Sequence, residues 1–316
     1  MRKYESFDFK PEERPRERRG RRRFDDEPES GKCGRLTEEK RERLARLRED
    51  RDPTDLPPDG DRWSTWPNAE HGPEPFPDWV STSAAAVDTE LGVLKTGKEA
   101  DVHLLSRGIP GTPDACLLAA KRYRSADHRL FHRDASYLEG RRMRRSREMR
   151  AMESRSAFGR NLIAERWVAA EFGALGQLWT IGAPVPYPVQ RDGTELLMEF
   201  IGSPDGAAAP RLAGLRPDPD ELHDWWNQLV TALLLLAGQG VTHGDLSAYN
   251  IIIHSGTLLL IDLPQLVDIV VNPQGTEFLR RDVVNISTWF RSRGLPAELA
   301  DAEWLVELLC AEAGLR

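Results

Sequence analysis

The chain has 316 residues, 30% of them charged and 40% hydrophobic, with a net charge of −7, which is enough for one large domain or two small lobes. Its most apolar run, Leu229 to Ala237, falls far short of the roughly 20 residues that cross a bilayer, and Met1 opens a charged stretch without a signal-peptide core. Cys33, Cys116 and Cys310 are odd in number and lack metal-ligand spacing, so a membrane protein and a disulfide scaffold are excluded and a soluble, cytoplasmic chain with reduced thiols is expected.

Residues 1–50 hold 17 Lys or Arg and 14 Asp or Glu with few aliphatics, and they run into a Pro-rich stretch from Pro53 to Pro77. Such a segment cannot bury enough apolar surface to offset its ordering entropy, so 1–80 is predicted to be a disordered charged arm. A helix from Glu38 to Arg48 is expected only on a partner. Arg19 to Arg23 could meet RNA, although interleaved acids weaken that attraction. Trp63 and Trp66 lie in this arm and are not expected to dock.

Globular patterning begins near residue 85. Val102–Leu105 and Leu117–Tyr123 read as strands of a hairpin around the turn Gly108–Pro113. Six arginines within Arg141–Arg150 have little apolar company and read as part of a mobile loop over 133–160. Ile163, Trp167, Ala170, Ala174 and Leu178 recur at three and four residues, which predicts a helix over 162–178 with Glu171 beside its apolar stripe. Leu196–Ile201 reads as a strand and Glu221–Gly238 as a long buried helix ended by glycine. Ile251–Ile253 and Leu258–Ile261 flank the turn Ser255–Gly256, and helices over 277–292 and 297–313 close the chain. The tandem Trp225 and Trp226 read as helix packing, and His103, His128, His132, His223 and His254 are scattered without metal spacing.

The densest chemical signal is His243-Gly244-Asp245-Leu246-Ser247-Ala248-Tyr249-Asn250, followed by an apolar strand and Asp262. Phosphoryl transfer needs an acid group at the acceptor and oxygen ligands that hold Mg²⁺ against nucleotide phosphates; Asp245, Asn250 and Asp262 supply that set in order. Asp and Asn also make turns around hairpins, and it is the ordered three-part set that argues for chemistry. Upstream, Lys121 ends the apolar strand Leu117-Leu118-Ala119-Ala120, where an ammonium is costly to bury alone. Glu171 is its expected partner and Glu165 the alternative, while a lysine snorkelling to water remains open. The turn Lys95-Thr96-Gly97-Lys98-Glu99-Ala100-Asp101-Val102 would cover the phosphates, with backbone amides of Gly97 to Ala100, the Thr96 hydroxyl and the Lys98 ammonium making contacts.

These residues together resemble the RIO family of atypical serine/threonine protein kinases, most closely bacterial-type members of its first subfamily, over about 85–295. The carriers are Thr96-Gly97-Lys98-Glu99-Ala100, Lys121, Trp167 with Glu171, Met198-Glu199-Phe200-Ile201-Gly202, His243 to Ser247 with Tyr249-Asn250, and Ile261-Asp262 with Gln265. The resemblance implies an α+β, two-lobed protein-kinase-like fold, with a β-rich N-lobe over 81–201 and a reduced helical C-lobe over 202–316. It implies ATP at the hinge, where Met198 lines the pocket and Glu199 and Ile201 offer backbone groups to adenine. Thr96, Gly97, Lys98, Glu99, Ala100 and Val102 would then lie along the nucleotide. Asp245 is implied as catalytic base and Asn250 and Asp262 as ligands of Mg²⁺, with Mn²⁺ as a substitute. In some relatives the acid matching Asp262 itself accepts the phosphoryl group, so protein kinase and ATPase both stay open. The segment 133–160 matches the family's flexible loop, making Ser146, Ser154 and Ser156 autophosphorylation candidates.

Two positions depart from the family pattern: Lys95 stands where serine is usual, and Ala248 where an acid is usual. Only 54 residues follow Asp262, too few for a full set of substrate-docking helices. A docked protein partner, the chain itself, or slow ATP turnover is therefore expected in place of peptide recognition in the usual groove. Two alternatives remain: a small-molecule phosphotransferase, disfavoured by the short tail, and a nucleotide-gated module whose arm and arginine loop grip a ribosomal or RNA partner.

Overall fold

The computed structural model describes residues 57, 59–97, 99–124, 157–264 and 266–315, with side chains from Ala164 onward in the first long helix. Lys98, Gln265, Ser146, Ser154, Ser156 and the arginine run 141–150 lie outside the described residues. The expected loop over 133–160 gives way to helix at Ala157.

Seven antiparallel strands form one sheet. They are β1 (Arg62–Trp63), β2 (Glu70–His71), β3 (Val87–Thr96), β4 (Ala100–Gly108), β5 (Ala115–Tyr123), β6 (Pro188–Asp192) and β7 (Glu195–Glu199), ordered β1-β3-β4-β5-β7-β6-β2. The predicted hairpin is present with longer strands. The predicted strand over 196–201 stops at Glu199, because Phe200–Gly202 leaves the sheet toward the second lobe.

The expectation of a disordered arm reaching residue 80 is corrected. Residues 59–80 fold onto the sheet, and one short segment supplies both outermost strands: β1 pairs with β3, and β2 with β6. Bare sheet edges are open templates for further pairing, and this strap covers both. Trp66 holds it down, only 8% exposed, stacked on His71 at 3.9 Å and edge-on to Phe76 at 5.2 Å. Composition hid this because the anchor is a few aromatics spaced among prolines, with no periodic apolar face. Trp66 and Val80 join Leu105, Leu118, Ala120, Tyr187, Val189 and Leu197 in a cluster on the sheet face away from the cleft.

Helix α1 (Ala157–Thr180) crosses the opposite face. Its deepest stripe is Ala164, Val168, Glu171, Leu175 and Leu178, one step round from the predicted one, since Trp167 and Ala170 are only half-buried. The shift puts Glu171 in the centre of the buried face.

The second lobe contains α2 (Pro219–Gly238), the pair β9 (Ile251–His254) and β10 (Thr257–Leu260), the two-residue pair β8 (Val241–Thr242) and β11 (Val267–Asp268), α3 (Gly275–Ser292) and α4 (Ala302–Glu312). Asp218 caps α2, accepting from Asp220 N and Glu221 N at 2.9 Å each. Asp301 caps α4 in the same way, which is why that helix starts at 302 and not at 297. Trp225, Trp226, Leu229, Leu233 and Leu236 of α2 are buried against the rest of the lobe, Trp226 edge-on to Phe290 at 5.1 Å. Among the described residues no helix is long and apolar enough to cross a membrane, and Cys116 and Cys310 are free thiols.

Candidate active site

Strand register decides what faces the cleft. Residues paired across an antiparallel ladder share a face, so the pairings Val102↔Lys121 and Lys121↔Leu196 align one row, and Ala119↔Met198 the next. The row includes Lys121, and the neighbouring Met198 packs partly buried against the large core.

Lys121 is 8% exposed, and its ammonium meets two carboxylates. Nζ donates to Glu171 Oε1 at 2.6 Å and to Asp262 Oδ1 at 2.7 Å. Glu171 comes from α1 and Asp262 from the end of β10, so one cation ties the sheet, the helix and the second lobe together. Burial pulls the ammonium's proton affinity down, but the two carboxylates outweigh it and the pKa ends above its ordinary value. Lys121 therefore stays charged. Glu165, the alternative partner, is exposed, while Glu171 is 1% exposed.

Tyr123, two residues along β5 on the same face, donates its hydroxyl to the other oxygen of Glu171. Burial and the neighbouring Glu171 charge push the phenol well above its usual range, so it remains a donor. Sequence reasoning missed this residue; the signal available was its i+2 spacing from Lys121 on a strand.

In the second lobe the loop from His243 to Asn250 is fixed from beneath. Asp282 of α3, fully buried, accepts from Gly244 N at 2.6 Å, Leu246 N at 3.0 Å and Thr242 Oγ1 at 3.0 Å. Burial nevertheless raises its pKa. His243, also fully buried, pairs its Nε2 with Ile261 O at 3.1 Å. Gly244 takes φ +83°, and Arg281 donates to its carbonyl. The effect is to present Asp245 exposed at the loop tip. Asp282 was not singled out from sequence: it reads as one more helix acid, and only the fold shows it beneath the loop.

Asn250 Nδ2 donates to Asp245 O at 2.8 Å, and Ile261 N donates to Asn250 O at 3.0 Å. Asp245, Asn250 and Asp262 thus meet at the root of one hairpin, as the sequence predicts. Asp262 adopts φ +66°, a left-handed conformation rarely used by non-glycine residues and frequent where a side chain must be aimed at a site. Burial pushes its carboxyl up, but Lys121, then Lys95 and His243, lower it to about 2. With the Asn250 amide nitrogen committed to Asp245 O, its oxygen is left for a cation. One amide oxygen and one carboxylate are a hard donor set of the kind Mg²⁺ takes together with phosphate oxygens and water.

The predicted phosphate turn joins β3 to β4. Gly97 N donates to Ala100 O at 2.9 Å, and a Cβ at Gly97 would lie 2.8 Å from that oxygen, so glycine is required. Thr96 hydrogen-bonds the Asp101 carboxylate, with Thr96 and Glu99 exposed and Ala100 buried. At the hinge the expected adenine contacts are narrowed. Glu199 N donates to Tyr187 O at 2.8 Å, and Ile201 O accepts from Ala209 N at 3.0 Å, so these two backbone groups are engaged within the protein.

A model of the RIO domain matches residues 119–302. Over 231 residues, 72% of this chain and 71% of the relative, the sequence is 32% identical to the RIO-type serine/threonine-protein kinase Rio1 of Haloferax volcanii. The chain belongs to the RIO family. Its chemistry class is therefore kinase phosphoryl transfer, with ATP as a substrate. It is also 28% identical over 223 residues to the serine/threonine-protein kinase RIO1 of Saccharomyces cerevisiae, covering 65% of this chain and 44% of that protein. With Rio1 of Thermoplasma acidophilum the identity is 32% over 145 residues, 46% of this chain and 74% of that one. The chain thus spans less than half of the yeast relative.

Proposed function

We propose that this RIO-family chain transfers the terminal phosphoryl group of ATP, with Mg²⁺, to a serine or threonine hydroxyl of a protein, itself included. The observation that carries the reading is the bridge from Lys121 to both Glu171 and Asp262, which couples the strand, helix and second lobe that a nucleotide must lie between.

Each residue has a role that follows from its placement. Lys121, held charged, binds the α- and β-phosphates, and Glu171 with Tyr123 fixes its direction. Asn250 and Asp262 would hold Mg²⁺, which supplies charge neutralisation at the phosphates. Asp245, exposed at the loop tip, orients the acceptor hydroxyl and takes its proton. Gly97 to Ala100 and Val102 cover the nucleotide from above, and Mn²⁺ fits the same oxygen donors. A small-molecule acceptor is not favoured, since the chain belongs to the RIO family and the relatives it matches are named serine/threonine-protein kinases.

The test is incubation of the full chain with labelled ATP and Mg²⁺, followed by phosphoamino-acid mapping. Asp262→Asn should lower transfer on the order of 10³-fold, the scale of removing one group that stabilises developing charge, with the fold intact. Asp245→Asn should suppress transfer while nucleotide binding persists. Wild-type turnover in either variant would overturn that residue's role. Label on an aspartate, with free phosphate released, would establish the ATPase outcome.

A further inference from the structure

Lys95, the departure at the head of the phosphate turn, is placed by a defect in the sheet. Val87 to Glu90 of β3 pair with β4 in one register, Gly92 and Val93 in a second, and Lys95 and Thr96 in a third, each shift adding one residue to β3. The second bulge lies between Val93, opposite His103, and Lys95, opposite Val102. Without it Lys95 would pair with residue 101 and stand on the His103 side of the sheet. With it, Lys95 shares the face of Val102, whose other partner is Lys121. Bulges beside active sites characteristically redirect a side chain in this way.

The redirected ammonium reaches the reaction centre. Lys95 Nζ lies 4.0 Å from Asp262 Oδ2, while Lys121 takes Oδ1 at 2.7 Å, so two lysines from different strands divide one carboxylate. The two differ in access: the Lys95 side chain is 45% exposed and that of Lys121 only 11%. From the second lobe, Arg211 adds positive charge beside them. Its backbone bridges Ile252, and its Nη1 donates to Tyr249 O at 2.6 Å. Such a cluster of cations attracts a multiply charged anion.

We propose that Lys95 is a further phosphate-binding residue that holds the terminal phosphoryl group of a nucleoside triphosphate and so discriminates it from di- and monophosphates. The assignment rests on the ATP site described above. Lys121, deep and anchored by Glu171, serves the inner phosphates; Lys95, on a flexible stem at the mouth, meets the outer one. A compact ammonium suits that task, because it contributes charge without demanding a fixed planar geometry.

The experiment is calorimetric titration of the full chain, with Mg²⁺, by a triphosphate whose β–γ bridge resists hydrolysis, by ADP and by AMP. Lys95→Met is expected to weaken the triphosphate about five- to tenfold, the range for a partly exposed charge-assisted contact, with ADP changed less than about twofold and AMP unchanged. Lys95→Arg should recover most of the loss. The deficit should shrink at high salt, where exposed charges are screened. An equal loss for all three nucleotides, or no loss, would overturn the proposal. Wild-type protein that binds none of them would overturn the ATP reading and this inference with it. Normal wild-type binding, with phosphate discrimination unchanged in Lys95→Met, would remove this inference alone.

Discussion

Arg107 on β4 and Lys121 on β5 are both buried cations of one sheet, both paired with carboxylates, and they face opposite sides. Arg107 is fully buried. It grips the fully buried Asp88 at 2.7 and 3.1 Å and reaches Gln190 Oε1 at 2.6 Å; Gln190 in turn donates to Thr65 of the strap at 2.6 Å. Every member of that network belongs to the first lobe, and it ties the strap to the middle of the sheet. Lys121 has its second carboxylate in the other lobe, and that carboxylate is 35% exposed. Burial and pairing of charge are thus shared by a structural core and a working site. What separates them is whether the partners span a cleft and whether one of them stays open to it.

The comparison is broken most forcefully by removing one acid from the closed network. Asp88→Ala leaves Arg107 buried without its bidentate partner and should cost about 3–5 kcal/mol of stability, read as a fall in the denaturant midpoint. Replacing the pair together, Asp88→Leu with Arg107→Leu, should restore most of that loss, because a well-packed apolar pair avoids the desolvation of two ions. Nucleotide affinity of the folded double variant should match wild type. If the double variant folds and still loses nucleotide binding, the two networks are coupled and the division between them fails.

A smaller effect sharpens the site's own side of the contrast. Tyr123→Phe removes one hydrogen bond to Glu171 and leaves Lys121 in place. A net cost near 1 kcal/mol for that bond corresponds to roughly a three- to tenfold fall in kcat, with KM for ATP little changed, because the residue positions Lys121 through Glu171 and does not touch the nucleotide. A change in stability with kcat untouched would assign Tyr123 to the core, alongside Arg107.

The two networks were unequally legible in the sequence. Lys121, Asp245, Asn250 and Asp262 could be found because each sits at a fixed place relative to an apolar strand or tight turn, and their meeting follows from a hairpin encoded by Ser255–Gly256. Glu171 could be found from helical spacing, although the stripe was read one position out, since Trp167 is large enough to dominate the pattern while remaining half-buried. Arg107 and Asp88 could not be found: in sequence they are ordinary charges on amphipathic strands, and only closure of the sheet by a distant strap makes them interior. The strap is hidden in the sequence for the same reason, as its stability comes from Trp66, Phe76 and strand pairing with partners more than 20 residues away. Lys95 was visible as a departure, but its direction depends on a bulge that no alternation pattern reports.

The smallest effect is an acid titration of the open carboxylate. Asp262 in the folded chain titrates at about 2, below its ordinary 3.8, because Lys121, Lys95 and His243 together outweigh burial. A depressed folded value means that the ionised carboxylate stabilises the fold above the unfolded pKa, and that this contribution disappears as pH falls through about 4 toward 2. The side chain is more than a third exposed, so solvent screening holds the contribution to no more than about 1 kcal/mol. Glu90 also titrates near 2 under the pull of His103 and Arg122, so the wild-type curve alone mixes the two. The stability difference between wild type and Asp262→Asn isolates the cleft: it should be present at pH 6, shrink below pH 4 and be mostly lost only as the pH reaches about 2. A difference that stays constant across that window would mean that Asp262 is not held by the lysines. The bridge between the lobes would then lose the charge pairing that distinguishes it from the closed network around Arg107.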